Sequence, residues 1–355
     1  MASDRGRGRC RERLERLAGS ALDRDSVQRE AIADLRRVIG FDRWCWPLAD
    51  PRTLLPLGPG VAQHDYGPSV PRVLELEYSG GDFATMDVLA RRSAPADSLT
   101  RETGGDLARS PRWDEVLRTV GIGDEAVVAC RDPFGCWGWI KAYRDAGERP
   151  FDDEDLKLLA SAGASLSPAL RRGFTAAAPP TTHESAAPGV IVLNPDLSVA
   201  SRTAGARAWI DALAPAGLFA AWGILPATIY PAAARARGGG AIAEARALER
   251  GMDGRWVMIE AAPLEGDSAA KIVVTLRAAA PAETFGLLCR AYALTRRERE
   301  VVAALVAGLD TRAVTGRLVI SRHTVQDHLK SVFQKVGVRS RRELLATFNA
   351  PDDRR

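Results

Sequence analysis

Cysteine and histidine are scarce in this chain, which has 5 of the first and 4 of the second among 355 residues. No cysteines have Cys-x-x-Cys spacing and no histidines are paired at ligand spacing, so the sequence predicts no metal site. Cys45, Cys130 and Cys136 all lie in the first half of the chain. Because no secretory signal precedes them, we expect reduced, buried thiols rather than disulfides.

Other absences narrow the range of functions. The chain has neither the phosphate-binding motif G-x-x-x-x-G-K-[ST] nor the nucleophile elbow G-x-S-x-G, and no constellation of catalytic residues is predicted. No early strand ends in paired acidic residues, which argues against a phosphoacceptor receiver domain. Nothing approaches the run of about 18 apolar residues that a membrane-spanning helix needs. We therefore expect a cytoplasmic protein without membrane contact, and the sequence leaves any cofactor unknown.

Positive charge is concentrated at the C-terminal end of the chain. The whole chain has a formal net charge of +4, whereas residues 290–355 contain 14 Lys or Arg and 7 Asp or Glu, a net charge of +7. The first 289 residues are therefore net −3. A positive field confined to one small segment is typical of proteins that bind a phosphate backbone, although a polar helix face is often merely solvated.

Two helices are predicted at the start of this basic segment. Thr295 and Glu298 form a capping box, and Gly308 supplies the stop of the first helix. The second helix has the apolar residues Val314, Leu318 and Ile320. It leads into Ser321, whose hydroxyl can cap the next helix. The connections are only a few residues long, as a helix-turn-helix requires.

The third predicted helix has two contrasting faces. A buried stripe at helical spacing consists of Val325, Leu329, Val332, Phe333 and Val336. The opposite face consists of Arg322, His323, Gln326, Asp327, Lys330 and Gln334. Gly337 is expected to end this helix, and Ser340 with Glu343 forms a second capping box that begins a fourth helix ending near Phe348.

The motifs of this segment match those of one known family. They are Leu294-Thr295, Arg297-Glu298-x-Glu300-Val301, Gly308-Leu309, Leu318, Ile320-Ser321, Thr324-Val325, His328-Leu329, Phe333-x-Lys335-x-Gly337-Val338 and Ser340-Arg341-x-Glu343-Leu344. Together they resemble the LuxR-type helix-turn-helix of bacterial transcription regulators. Val314-Thr315 and Gln326 depart from the family, which usually has Ile-Ala and often has Lys at these positions. We expect the Thr315 hydroxyl to find a backbone acceptor.

The resemblance implies that DNA bases are contacted from the third helix, at Arg322, Gln326, Asp327 and Lys330. Lysine can donate to guanine or to phosphate, and glutamine can form two hydrogen bonds with adenine. Aspartate can accept from cytosine but repels phosphate. Asp327 is therefore either a specificity element or an idle surface residue.

Four further residues are candidates for phosphate contacts at the two ends of the third helix. Ser321 and Thr324 lie at its start, whereas Arg339 and Arg341 lie just past its end. Such contacts fix the register of a protein on DNA without reading sequence. The fourth helix resembles the segment that pairs two modules in this family, which implies a homodimer on a two-fold symmetric site in double-stranded DNA. RNA polymerase is a further candidate partner.

Two Pro- and Ala-rich stretches predict where the domains end. The stretches 173–187 and 277–284 have no apolar period and are expected to be linkers. They separate the predicted domains 1–172, 188–276 and 285–355. A regulator needs upstream domains that control when it binds, and the length of the chain allows two of them.

The first predicted domain has the order helices, strands, helix. Strand-like runs occupy 41–46, 125–130 and 135–143, the last two joined by a turn at 132–135, and a closing helix follows from Phe151, with Asp152 as its cap. This order is typical of an α+β fold with an antiparallel sheet. It resembles a GAF domain, most clearly at Gly138-x-Ile140 and in the segment 150–159.

The second predicted domain is smaller. It begins with two strands around the turn Asn194-Pro195-Asp196, continues with a helix at 204–213, and ends with strands at 254–262 and 270–276. This arrangement resembles a PAS-type α+β fold.

Four tryptophans of the first domain are candidates for the lining of a ligand pocket. Trp44 and Trp46 alternate on one predicted strand, and Trp137 and Trp139 alternate on another, so the four indoles can surround a flat ligand. The alternative is that all four are packed in the core.

The sequence as a whole predicts a multidomain α+β protein: a GAF-like domain, a smaller PAS-like domain, and a C-terminal all-α module of four helices. Its predicted function is sequence-specific, non-enzymatic DNA binding that a small-molecule ligand or partner modulates at the upstream domains. Two alternatives stay open. The upstream domains either bind no ligand and serve for dimerisation or protein interaction, or they bind haem or flavin as a redox sensor.

Overall fold

The computed structural model describes residues 4–63, 66–175, 187–214, 219–238, 245–266 and 270–348. The chain forms two compact units: the first extends to Ala278, and the second, apart from residues 174–176, begins at Ala279. The predicted boundary between 1–172 and 188–276 lies inside the first unit. Most of the predicted linker 173–187 lies outside the described residues.

The described residues of the first unit form two antiparallel sheets of five strands each. The strands of the first sheet are β1 (Arg43–Ala49), β2 (Pro56–Ala62), β3 (Ala96–Ser98), β4 (Ile122–Asp132) and β5 (Gly135–Asp145), in the order β2-β1-β5-β4-β3. All of its pairings are antiparallel, as predicted for this region. The predicted turn at 132–135 is confirmed, since the Asp132 carboxylate accepts a hydrogen bond of 2.8 Å from the amide of Phe134. Strands β2 and β3 were not predicted from the sequence.

The helices of this region are α1 (Asp4–Ala18), α2 (Arg24–Ile39), α3 (Val70–Tyr78), α4 (Met86–Arg91), α5 (Leu99–Glu102) and α6 (Asp153–Gly173). Helices α4 and α6 lie against β4, and α1 lies against α2 and α6. Asp152 caps α6 as predicted, because its carboxylate accepts from the amide of Asp155 at 2.9 Å. A Cβ atom at Gly163 would lie 3.1 Å from the carbonyl oxygen of Ala129, so the missing side chain lets α6 lie close against β4.

The second sheet has its own pair of helices. Its strands are β6 (Gly189–Leu193), β7 (Val199–Arg202), β8 (Arg246–Arg250), β9 (Trp256–Pro263) and β10 (Ile272–Ala278), in the order β7-β6-β10-β9-β8. Its helices are α7 (Ala204–Leu213) and α8 (Ile229–Arg237). The predicted turn after β6 is present, with the amide of Leu197 donating to the carbonyl of Asn194 at 2.9 Å. The stretch 232–250 is rich in Ala, Gly and Arg, a composition compatible with a helix followed by a loop, and it contains most of α8. Strand β8 lies at the end of the same stretch and was not predicted.

The two sheets share one apolar core. Val127 and Trp139 of the first sheet belong to the same cluster of buried side chains as Trp209 and Ile259 of the second region. Helices α3 and α8 lie against each other, and the guanidinium of Arg235 stands 5.6 Å from the ring centre of Tyr78. Arg237 also forms an ion pair with Glu75. The regions predicted as separate GAF-like and PAS-like domains are therefore packed together.

Five charged side chains are enclosed in this core, and we call them the buried ion cluster: Glu77, Asp82, Arg112, Glu125 and Lys141. Each side chain is at most 5% exposed. The Lys141 ammonium lies 2.9 Å from the carboxylate of Glu77 and 2.8 Å from that of Glu125. Arg112 forms ion pairs with both carboxylates. Burial opposes ionisation of Glu77, but Arg112 and Lys141 outweigh it and lower the pKa of Glu77 to about 2.

All five cysteines are free thiols. Cys130 and Cys136 are buried, whereas Cys45 is half-buried and lies 3.4 Å from the hydroxyl of Tyr143. Desolvation raises the pKa of Cys45 to about 11 and the pKa of Cys136 to about 12. These thiols are therefore protonated at neutral pH and are poor nucleophiles.

The second unit is helical, as predicted, but has five helices in its described residues rather than four. They are α9 (Pro281–Ala291), α10 (Arg296–Val306), α11 (Thr311–Leu318), α12 (Arg322–Val336) and α13 (Arg341–Phe348). The additional helix, α9, occupies half of the predicted linker 277–284. Pro281 begins it, and Glu283 accepts a hydrogen bond of 2.7 Å from the amide of Ala280. Throughout the described ranges, no helix is both long and apolar enough to cross a membrane.

Candidate nucleic-acid interface

Helix α10 is the scaffold of the C-terminal unit. The predicted capping box is confirmed: the Thr295 hydroxyl accepts from the amide of Glu298 at 3.3 Å, and the Glu298 carboxylate accepts from the amide of Thr295 at 2.7 Å. Gly308 follows the helix with a φ of +84°, as predicted for a stop. The apolar residues of α10 are buried together with apolar residues of the other helices of this unit. By fixing the residue at which α10 begins, the capping box also fixes which α10 residues face this core.

Glu298 also joins α10 to α12. Its carboxylate lies 2.6 Å from the Lys335 ammonium and accepts a hydrogen bond of 2.6 Å from the Ser331 hydroxyl. Burial of this side chain opposes its ionisation, but the donors Lys335, Ser331 and Thr295 outweigh burial and lower the pKa of Glu298 to about 2. One carboxylate therefore holds the end of α12 against the start of α10.

We expect Glu298→Gln to lower the free energy of unfolding of the second unit by about 2 kcal/mol at pH 7, because Lys335 loses its carboxylate partner. The folded-state pKa of Glu298 lies below its ordinary value of 4.5, so the contribution is complete above about pH 4.5 and is lost as the pH falls towards 2. All eight tryptophans lie in the first unit. Urea unfolding should therefore be followed by both circular dichroism and tryptophan fluorescence. A transition that changes the circular dichroism but not the fluorescence is assigned to the second unit.

Glu300→Gln is the matched control for this prediction. Glu300 lies on the same helix but pairs with the exposed side chains of Arg296 and Arg297, so its loss is expected to cost less than about 0.5 kcal/mol. Equal losses in the two variants, or a difference between wild type and Glu298→Gln that is unchanged at pH 3, would contradict the role of Glu298.

The connection from α10 through α11 to α12 has the geometry of a helix-turn-helix. The Asp310 carboxylate caps α11 by accepting from the amide of Ala313 at 2.7 Å. After α11, Val319 adopts the left-handed region with a φ of 54°, which turns the chain within three residues. The Ser321 hydroxyl then caps α12, as predicted, by accepting from the amide of Thr324 at 3.0 Å. As expected, the Thr315 hydroxyl donates to a backbone carbonyl, that of Arg312, at 2.6 Å.

Helix α12 separates its side chains into a buried and an exposed face. Val325, Leu329 and Val332 are buried in the core of the unit, and Phe333 and Val336 pack against that core. The four candidates for base contacts are all exposed: Arg322, Gln326, Asp327 and Lys330. The structure thus places these four side chains on one helix, on the side away from the core.

Three of these candidates form a single row. Arg322, Gln326 and Lys330 follow one another at intervals of four residues, so they lie above one another on the helix surface. Asp327 lies beside this row, and its carboxylate is 3.7 Å from the imidazole of His323. The row offers a guanidinium, an amide and an ammonium, which are the donor groups that read guanine and adenine edges in the major groove.

The candidates for phosphate contacts lie at both ends of α12, and they differ in exposure and in the hydrogen bonds that they make within the protein. The hydroxyls of Ser321 and Thr324 lie 2.9 Å apart, and the Ser321 hydroxyl caps the helix by accepting from the amide of Thr324. Arg339 is exposed. Arg341 is half-buried and donates to the carbonyl of Leu309 at 2.6 Å, so it also ties α13 to the α10–α11 connection.

Helix α13 is anchored to its own unit. Leu344 and Phe348 are buried, and the ring of Phe348 lies 5.5 Å from Phe285 and 6.0 Å from Tyr292. The predicted second capping box takes a modified form. Ser340 accepts from the amide of Glu343, whereas the Glu343 carboxylate accepts from the amide of Arg339 rather than that of Ser340.

The four tryptophans predicted to line a ligand pocket are buried in the first unit. The indole N–H groups of Trp44, Trp137 and Trp139 donate to Gln63, Asp132 and the carbonyl of Met86, each at 2.9 Å. Trp139 belongs to the core that both sheets share, whereas the partner of Trp137, Asp132, is itself paired with Arg171 on α6. Their binding role stays a prediction.

Comparison with known proteins identifies the C-terminal unit. Residues 292–348 match the family of bacterial regulatory proteins of the luxR type. Over 55 residues the chain is 46% identical to a protein of Aeromonas salmonicida described as an HTH-type transcriptional regulator in the exeN 3' region. Over 48 residues it is 48% identical to the transcriptional regulatory protein SgaR of Hyphomicrobium methylovorum and 44% identical to the spore germination protein GerE of Bacillus subtilis.

These similarities are confined to the helical unit. They cover 14–16% of this chain, and they span 28%, 23% and 65% of the three relatives in the same order. The resemblance to LuxR-type regulators predicted from the sequence is therefore confirmed for one part of the chain: residues 292–348 form a luxR-family helix-turn-helix domain.

Proposed function

We propose that this protein is a transcriptional regulator that binds double-stranded DNA in a sequence-specific manner through α12. The observation that carries this proposal is the exposed row of Arg322, Gln326 and Lys330 on a helix whose opposite face is buried. The net charge of +7 over residues 290–355 supplies the attraction to the phosphate backbone. The luxR-family match of residues 292–348 supports the same function.

Within this proposal the exposed row and Asp327 read bases in the major groove, while Ser321, Thr324, Arg339 and Arg341 contact phosphates. The two groups differ in position. The row extends along the exposed face of α12 from its first residue, Arg322, to Lys330. Ser321 and Thr324 lie at the start of the helix, whereas Arg339 and Arg341 lie beyond its end. Two copies of the module bind as a homodimer, so the half-sites are related by two-fold symmetry and lie about one helical turn apart. RNA polymerase is the proposed partner of the DNA-bound dimer.

The proposal assigns the control of DNA binding to the first unit. Two antiparallel sheets with flanking helices are consistent with the GAF-like and PAS-like interpretations of its two regions. A ligand or partner that binds one state of this unit more tightly shifts the population of DNA modules able to pair on a site. Three of the four buried tryptophans, Trp44, Trp137 and Trp139, have internal hydrogen-bond partners, which favours core packing over a tryptophan-lined pocket or a haem or flavin site.

Selection of bound fragments from the source genome by the purified full chain tests this function. We expect enrichment of one two-fold symmetric sequence over random fragments at physiological salt. If the protein binds DNA more weakly at higher salt but no sequence is enriched, it binds DNA without sequence specificity. Absence of all DNA binding, with the helical circular dichroism intact, would remove the proposed function.

We expect Arg339→Ala to weaken binding to selected and random DNA by the same factor, since phosphate contacts do not depend on sequence. The slope of log K against log salt should become less steep by about 1 if Arg339 neutralises one phosphate. The measurement is a salt titration of binding with both DNA types. Arg341→Ala should change the slope similarly but also lower stability, because Arg341 donates to the Leu309 carbonyl. A loss confined to the selected site would reassign Arg339 to base reading.

A further inference from the structure

A cleft of about 500 Å³ opens in the region of the second sheet. It lies between the edge strand β7, helix α7 and the segment 219–226. Small-molecule sites in proteins have volumes of about 300–1,000 Å³, so this cleft is large enough for a small organic ligand. None of the candidate residues for DNA or pocket binding lines it.

The walls of the cleft are largely apolar. Apolar lining residues are Val199, Ile210, Phe219, Ile224, Leu225 and Pro226. Ile210, Phe219 and Ile224 are only half-buried, and Val199 is 36% exposed, so the cleft leaves apolar surface in contact with water. Covering such surface with the apolar part of a ligand is favourable by about 25 cal/mol per Å².

Two arginines give the cleft its charge. Arg202 at the end of β7 and Arg207 on α7 both line it, and among the described residues neither guanidinium has a carboxylate within ion-pair distance. In the same region Arg246, Arg255 and Arg277 all form ion pairs. Asp211 also lines the cleft, so the charged lining side chains among the described residues sum to a net charge of +1.

We infer that this cleft binds a small amphipathic anion, with its apolar part against Ile210, Phe219 and Ile224 and its carboxylate or sulfonate paired with Arg202 and Arg207. A guanidinium can pair with a carboxylate through two parallel hydrogen bonds, and the apolar residues that line the cleft supply contact area for the hydrocarbon part. The occupant is therefore a monoanion with a hydrocarbon body rather than a nucleotide or a sugar. The inference that this anion regulates DNA binding rests on the proposed function, whereas the inference that it binds in the cleft does not.

Fluorescence of 8-anilinonaphthalene-1-sulfonate bound to the full chain tests the inference, with displacement by decanoate, decanol and decyltrimethylammonium. These three competitors share one hydrocarbon chain and differ in charge. We expect decanoate to displace the probe at least tenfold more effectively than decanol, and the cation to be the weakest competitor. Equal displacement by all three would overturn the charge assignment.

Variants locate the effect. Arg202→Gln/Arg207→Gln should weaken displacement by decanoate at least fivefold and leave displacement by decanol unchanged. Arg246→Gln removes an arginine of the same region that is ion-paired with Glu260 and lies outside the lining, so it should behave as wild type. Unchanged decanoate displacement in the double variant, or the same loss in the control, would overturn the site.

The affinity for the selected DNA site, measured with and without decanoate, separates the two proposals. We expect at least a threefold change in that affinity, which Arg202→Gln/Arg207→Gln abolishes. If decanoate binds but the DNA affinity stays the same, the anion site stands and its regulatory role fails. If no DNA site is selected at all, the proposed function fails while the displacement results remain valid.

Discussion

Lys141→Met is expected to destabilise the first unit by about 3–5 kcal/mol, because it leaves the carboxylates of Glu77 and Glu125 in the core without their ammonium partner. Methionine is unbranched and of similar length, so little packing is lost. Tryptophan fluorescence during urea unfolding is the appropriate measurement, since all eight tryptophans lie in this unit. The expected result is a lower urea midpoint with an unchanged slope.

Two further variants distinguish loss of charge from loss of packing. Arg118→Met removes an exposed arginine that pairs with an exposed Asp114, so it should cost less than about 0.5 kcal/mol. Lys141→Met/Glu125→Gln removes one carboxylate together with the ammonium and should recover part of the lost stability. No recovery in the double variant would mean that Lys141 contributes through packing rather than through its charge.

The buried ion cluster also shows why sequence patterns alone missed part of the core. Lys141 lies on β5 within a run of apolar, aromatic and glycine residues from 136 to 143, so this run offers it no charged partner. Its partners Glu77 and Glu125 lie 64 and 16 residues away along the chain, on α3 and β4. Because α3 and α4 were not predicted, nothing in the sequence analysis indicated that this face of the sheet is covered.

Short sequence patterns predicted correctly the features that depend only on neighbouring residues. The caps formed by Asp152, Thr295 and Ser321 and the stop at Gly337 are all observed, because each depends on residues within one turn of the helix end. Helix α9 was missed although Pro281 and Glu283 mark its start, since the preceding alanines suggested a linker. The packing of the two sheets on one core depends on distant residues, and no local pattern predicts it.

The row on α12 could be predicted from the sequence, whereas the cleft beside β7 could not. The spacing of Val325, Leu329 and Val332 identifies the buried side of α12, so the exposed side follows by geometry. Arg202 and Arg207 resemble ordinary surface arginines in the sequence. Only the structure shows that both line an apolar cleft and that, within the described part of the chain, no carboxylate pairs with either.

Gln326→Ala/Lys330→Ala is expected to weaken binding to the selected DNA site by about 2–6 kcal/mol, since each base contact that uses two hydrogen bonds contributes about 1–3 kcal/mol. On random DNA the loss should be much smaller, because only Lys330 can also contact phosphate. Each single variant should relax the preference at its own base position. The measurement is a titration of the selected site and a scrambled site at one fixed salt concentration.

Arg296→Ala is the control for this double variant. The Arg296 side chain is 88% exposed, and Glu300 is its ion-pair partner. Arg296 is the first residue of α10 and lies next to the capping box. The ion pair between Glu298 and Lys335 places this end of α10 against the last turns of α12 rather than its middle. Binding of the selected site should therefore be nearly unchanged. Equal losses on selected and scrambled DNA for the double variant would mean that the row on α12 supplies charge alone, and base recognition would then have to come from Arg322 or Asp327.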